Sequence, residues 1–155
     1  MKPPIENVRV STRGREILIK VKKHTGLEHW NEVCRIALCR SLSDPTSPQK
    51  SARMGDSSIE MEWKTFAGSF QEEFASLIVF RAQRDGIDLT RKEALAEYFR
   101  SHLERGIISL RNAKSLIELH EMLMTSTIDA TGLVVQRLDQ SSEKLVYHPE
   151  SNLGD

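Results

Sequence analysis

At 155 residues, with 22 basic and 22 acidic side chains, the chain is long enough for one domain with a real core and too short for two large ones. No apolar run approaches the roughly 20 residues that cross a bilayer. Pro3, Pro4, Glu6 and Asn7 interrupt any secretory leader, so a cytoplasmic protein without a membrane partner is expected. The formal neutrality hides a polarity. Between Lys2 and Lys23 the basic residues Lys2, Arg9, Arg13, Arg15, Lys20, Lys22 and Lys23 meet only Glu6 and Glu16, whereas the middle of the chain leans acidic. Such a layout suits a protein that turns one end toward a polyanion.

Asn7 to Ser11 alternates polar and apolar residues, with Val8 and Val10 on one side, as a short strand does. Gly14 to Lys23 fits either period, because Ile17, Ile19 and Val21 alternate while Ile17, Leu18 and Val21 also share a helical face. Helix is chosen because Lys22 and Lys23 suit a last turn and Gly26 suits a left-handed cap. Trp30, Val33, Cys34, Ala37, Leu38, Ser41 and Leu42 then mark an amphipathic helix closed by Asp44-Pro45. The polar run from Thr46 to Ser58 reads as a mobile loop, and Ile59 to Trp63 as a second alternating segment.

One helix is expected from Phe66, Phe70, Phe74, Leu77, Ile78 and Arg81, stopped by Gly86, its three phenylalanines forming one core or subunit stripe. Thr90 to Glu93 matches a capping box, opening a helix with Ala94, Leu95, Tyr98, Phe99, His102 and Leu103 inward and Gly106 beyond its end. A further helix from about Ala113 to Met124, capped by Asn112, would bury Leu116, Ile117, His120, Leu123 and Met124. Leu133 to Leu138 and Lys144 to His148 could close a small hairpin. The fold class is therefore mainly α: a compact helical domain with an N-terminal ribbon-helix-helix-like segment, residues 1–110, followed by a C-terminal helix and tail, residues 111–155.

The chemistry points to binding rather than catalysis. Cys34 and Cys39, five apart in one helix, cannot form a disulfide there, and the histidines are scattered, so neither a disulfide nor a metal site is expected. Trp30, His102 and His120 read as core residues. No phosphate loop or nucleophile constellation is recognisable, and Glu60 and Glu62, on one side of a strand, are the least implausible metal pair of a nuclease. A ribbon pairing with a second chain would offer Asn7, Arg9 and Ser11 to the major groove. Arg13, Arg15, Lys20, Lys22 and Lys23 would then meet phosphates, giving affinity without sequence choice. Gly14 could admit a phosphate close to the backbone. A ribbon-helix-helix transcriptional regulator, with its C-terminal tail on a protein partner, is the alternative.

The succession RVSTRGREILIKVKKHTGLEHWNEVCRIALCRSL, DPTSP, IEMEWKTFAGSF and LAEYFRSHLERGIISL resembles the DndE family of DNA sulfur modification. The resemblance runs from about Asn7 to Leu110, and its most specific blocks are Thr25-Gly26, the helix Asn31 to Leu42 ending in Asp44-Pro45, Glu62 to Phe66 with Gly68, and Tyr98-Phe99 to His102 with Arg105-Gly106-Ile107. It implies a non-enzymatic accessory of DNA phosphorothioation: a small helical homo-oligomer, tetrameric in expectation, without cofactor or catalytic residues, bound to double-stranded DNA that can be nicked. The sulfur chemistry would belong to partners, namely a cysteine desulfurase, an iron-sulfur protein and an ATPase. The family's basic surface would correspond here to Arg13, Arg15, Lys20, Lys22 and Lys23, with Arg9 alongside on the strand.

Overall fold

The computed structural model describes residues 3–50, 55–91 and 93–125, in the order β1 (Asn7–Ser11), α1 (Thr12–Thr25), α2 (Trp30–Ser43), β2 (Asp56–Glu62), α3 (Trp63–Ala67), α4 (Gln71–Arg84), α5 (Ala94–Ser109) and α6 (residues 116–125). It is mainly helical, with one small antiparallel sheet of β1 and β2. Alternation makes that sheet. Val8, Val10, Ile59 and Met61 are buried, while Asn7, Arg9, Glu60 and Glu62 point outward. Asn7 lies opposite Glu62, Val8 opposite Met61 and Arg9 opposite Glu60, with a register shift before Ser11 meets Asp56.

The strand, helix, glycine turn and helix expected at the N-terminus are present, and Gly26 caps α1 at φ 76° while its N–H bonds to the Lys22 carbonyl. What differs is the ribbon's partner. β1 pairs with β2 of its own chain, because Ile59 and Met61 supply a second apolar row on the same face.

The helices pack around α2 and α5. Gly106 lies inside α5, not beyond it: a Cβ there would fall 1.9 Å from the Ala37 carbonyl oxygen, so the two backbones approach as only glycine permits. Trp63, Phe66 and Phe99 form the aromatic centre, with centroid distances of 5.4 to 5.9 Å, and Phe74 joins Phe66 at 5.7 Å.

Four expectations are corrected here. The helix expected across Phe66 to Arg81 is two, because Gly68 at φ 61° closes α3 and redirects the chain, leaving Phe66 buried and Phe70 exposed. Thr90 does not cap α5. Its amide and hydroxyl bond to the Asp88 carboxylate at 3.0 and 2.6 Å, and the helix starts at Ala94. The final helix is capped by Ser115, whose hydroxyl accepts the Glu118 N–H while the Glu118 carboxylate accepts the Lys114 N–H. Leu119 is consequently the buried residue of α6, and Leu116, Ile117 and His120 are exposed. Lastly, β2 begins at Asp56, inside the run expected to be loop. The possible hairpin of residues 133–148 lies outside the described residues. Ala113 and Leu119 share the core of the preceding helices.

Candidate nucleic-acid interface on the first helix

The site is built from the outer face of α1. Gly14, Leu18, Val21 and Thr25, at steps of three and four, are buried, which leaves Arg13, Arg15, Lys20 and Lys23 exposed and Lys22 half-buried. Glu16 is the one acidic residue of the helix. Seven-residue spacing splits the cations into lines: Arg13 with Lys20 on one flank, Arg15 with Lys22 on the other, and Lys23 along the crest with Glu16.

The Arg15 flank overlooks an open groove of about 510 Å³, lined by Arg15, His29, Trp30, Asn31, Ile59, Glu60, Met61 and Thr65. Lys22 Nζ lies 3.9 Å from the centroid of the Trp30 ring, so that cation is partly held by its own chain. Arg9 is held more directly, its Nε 3.1 Å from a Glu60 carboxylate oxygen across the strands. Of the six basic residues read from sequence, four stand open to a ligand and two are engaged.

Ser11 and Gly14, both read as facing DNA, face inward instead. The register shift after Arg9 turns Ser11 toward α5, where its amide and hydroxyl donate to the two oxygens of Glu104 at 2.8 and 2.7 Å. Its hydroxyl oxygen accepts the Gly14 N–H at 2.9 Å. A Cβ on Gly14 would meet Val10 Cγ1 at 2.8 Å, so Gly14 serves the packing of the strand-to-helix turn and not a phosphate.

A second polar constellation has no counterpart in the sequence reading. Arg81 is buried, donating from Nε to Asp85 at 3.1 Å and from its terminal nitrogens to the carbonyls of Leu42 and Thr46 at 2.6 and 2.9 Å. Tyr98 donates to Asp85 at 2.6 Å. Arg105 donates to the Ser41 hydroxyl and carbonyl at 2.8 and 2.6 Å and to the Thr46 carbonyl at 2.9 Å. Two arginines thus satisfy the carbonyls that α2 leaves open at its C-terminal end. The available signal was Arg81 itself, a charge on an apolar face with Asp85 four residues on.

Ionisation follows the packing. Burial raises the Asp85 carboxyl, but hydrogen bonds from Tyr98, Ser47 and Arg81 outweigh it and hold the pKa at about 2. Burial, then the charges of Arg105 and Arg81, depress His102 to about 4, so it is neutral. The Ser41 hydroxyl, which accepts from Arg105, lies 2.9 Å from His102 Nδ1, and among the described residues the buried Nε2 of that ring has no partner. Burial, with the Glu104 charge, pushes the Cys34 thiol up to about 12, an inert value. Among the described residues no group of histidine, cysteine or carboxylate side chains could hold a metal ion; Glu60 is tied to Arg9. No helix there is long and apolar enough to cross a membrane.

Fold and surface together define a small helical protein with a cationic helix on its outside and with Arg81 and Arg105 engaged internally. Residues 7–118 match the model of the family described as DNA sulphur modification protein DndE, and the chain belongs to that family, which is involved in DNA phosphorothioation. Among curated proteins, none matches. DndE from Escherichia coli B7A, involved in DNA phosphorothioation modification, is similar in fold: 22% identical, TM-score 0.56, covering 72% of this chain and all of that one. A DndE lysine-substituted mutant involved in DNA phosphorothioation is also similar, at 19% identity and TM-score 0.54, covering 70% of this chain and 99% of that one.

Proposed function

We propose that this chain is the DNA-binding accessory of the phosphorothioation machinery and holds duplex DNA, intact or nicked, by its phosphate backbone with little regard to sequence. The observation that carries this reading is the outer face of α1, where Arg13, Arg15, Lys20 and Lys23 are exposed and only Glu16 opposes them. Flexible side chains in lines along a helix fit a row of phosphates and offer no planar pair aimed at a base edge. The protein performs no sulfur chemistry of its own. It acts as a homo-oligomer, tetrameric in this reading, beside the iron-sulfur and ATPase components that do the chemical work.

The test is a titration of intact and nicked duplexes of several sequences at a series of salt concentrations. Four phosphate contacts give a slope of log affinity against log salt of about −3.6, shallower than the value of about −5 that six free cations would produce. Affinity indifferent to salt overturns the reading. A preference of about a thousandfold for one sequence supports a regulator instead.

A further inference from the structure

The helix α4 is apolar on two opposite sides. Its inner side buries Ala75, Ile78 and Ala82 in the core, as one amphipathic helix needs. Its outer side carries Phe70 at its N-cap, then Leu77 and Phe80, with exposures of 57, 42 and 65%. A helix with apolar residues on two faces has two packing partners, and the fold supplies one.

The outer side has an internal order. Phe70, Glu73, Leu77, Phe80 and Arg84 follow one another at steps of three, four, three and four, the repeat of a helix-pairing seam. The last four, Glu73, Leu77, Phe80 and Arg84, read as charge, apolar, apolar, opposite charge. Laid antiparallel on an identical helix about a two-fold axis between Ile78 and Val79, Leu77 meets Phe80 of the second copy and Glu73 meets Arg84 of the second copy. Both contacts then recur by symmetry. That is the condition an isologous interface must satisfy: whatever residue i offers, its partner residue j must complement, in both directions at once. A parallel arrangement would instead set Glu73 against Glu73 and Arg84 against Arg84.

We infer that α4 is a self-association surface on which two copies of this chain pair antiparallel, with Leu77 and Phe80 as the apolar centre and Glu73 and Arg84 as the ionic ends. The inference is independent of the DNA reading, because α1 contributes nothing to it. A helix of 14 residues is about 21 Å long, so the pair alone makes a modest interface. A tetramer would use it as one of its two-fold contacts and require a second.

The experiment is sedimentation velocity of the full chain without DNA, over a concentration series. Wild type associates, and the double variant Leu77→Ser/Phe80→Ser weakens the pairwise dissociation constant by about thirtyfold, as truncating two central anchors does. Circular dichroism melts confirm that it stays folded, since both side chains are exposed. Glu73→Arg and Arg84→Glu each weaken association, whereas the double swap, and an equimolar mixture of the two single variants, restore it. A wild type that is monomeric throughout, an association indifferent to the apolar pair, or a double swap as weak as the single variants overturns the inference.

Discussion

Two sets of basic side chains in this molecule have opposite fates. Arg81 and Arg105 are engaged at the C-terminal end of α2, where carbonyls, a carboxylate and hydroxyls satisfy them. Arg13, Arg15, Lys20 and Lys23 stand on α1 in water. The first set is structural because removing a partner strands a charge that is buried at Arg81 and partly buried at Arg105; the second is free energetically because solvent replaces any partner it loses. Location, rather than residue type, decides which cations can serve a ligand.

The sharpest way to break this comparison is Asp85→Ala, which leaves Arg81 buried without its carboxylate, both side chains being within 6% exposure. A loss of about 3–5 kcal/mol in urea unfolding is expected. A loss under about 1 kcal/mol, as at surface ion pairs, would erase the distinction. Next comes Gly106→Ala, whose methyl enters the Ala37 backbone and forces α2 and α5 apart; overpacking of this kind costs about 1–3 kcal/mol. Because the same two helices carry Ser41 and Arg105, that substitution should also raise the His102 pKa toward its ordinary value, readable by NMR titration.

The third prediction concerns acid. His102 titrates near 4 in the fold and near 6.5 in the unfolded chain, so the unfolded state binds the extra proton first as pH falls. Stability is full above about 6.5 and declines down to about 4, a loss of about 2 kcal/mol between pH 7 and pH 5 from this residue alone. Urea midpoints at the two pH values should differ for wild type and converge for His102→Gln. Asp85, with a depressed pKa of about 2, adds a separate decline below the ordinary carboxylate range. The smallest effect on stability, within about 0.5 kcal/mol, is expected from Arg13→Glu, Lys20→Glu and Lys23→Glu together. Those substitutions should nevertheless weaken DNA binding, and each neutral replacement should flatten the salt slope by about 1.

How much of this was legible follows the physics of each signal. Apolar periodicity located β1, α2 and the inner face of α5, because Val8, Val10, Val33, Ala37 and Phe99 report burial directly, whereas α1 was placed by its end signals, Lys22, Lys23 and Gly26. The cationic helix was legible because the buried positions of α1 leave only its outside for charge. Glycine was misread where its meaning depends on a distant segment. Gly106 resembles a helix stop until Ala37 is known to lie against it, and Gly14 resembles a phosphate site until Val10 and Glu104 close over it. Arg9 shows the same limit, since its Glu60 partner is 51 positions away and only strand register brings them together. The polar network at Ser41, Arg81, Tyr98 and His102 joins three helices, and its one local trace is the i,i+4 pair of Arg81 with Asp85.

The junction at Ser11 carries a last consequence. Its hydroxyl and amide are fastened to Glu104 while its oxygen caps α1, so the base of the cationic helix is bolted to the middle of α5. A pull on α1 is therefore felt at α5 and, through the adjacent Arg105, at the arginine-clamped end of α2. Whatever grips the cationic face acts on a rigid lever and not on a tethered arm, and substituting Glu104 would loosen the lever without touching a single surface charge of the helix.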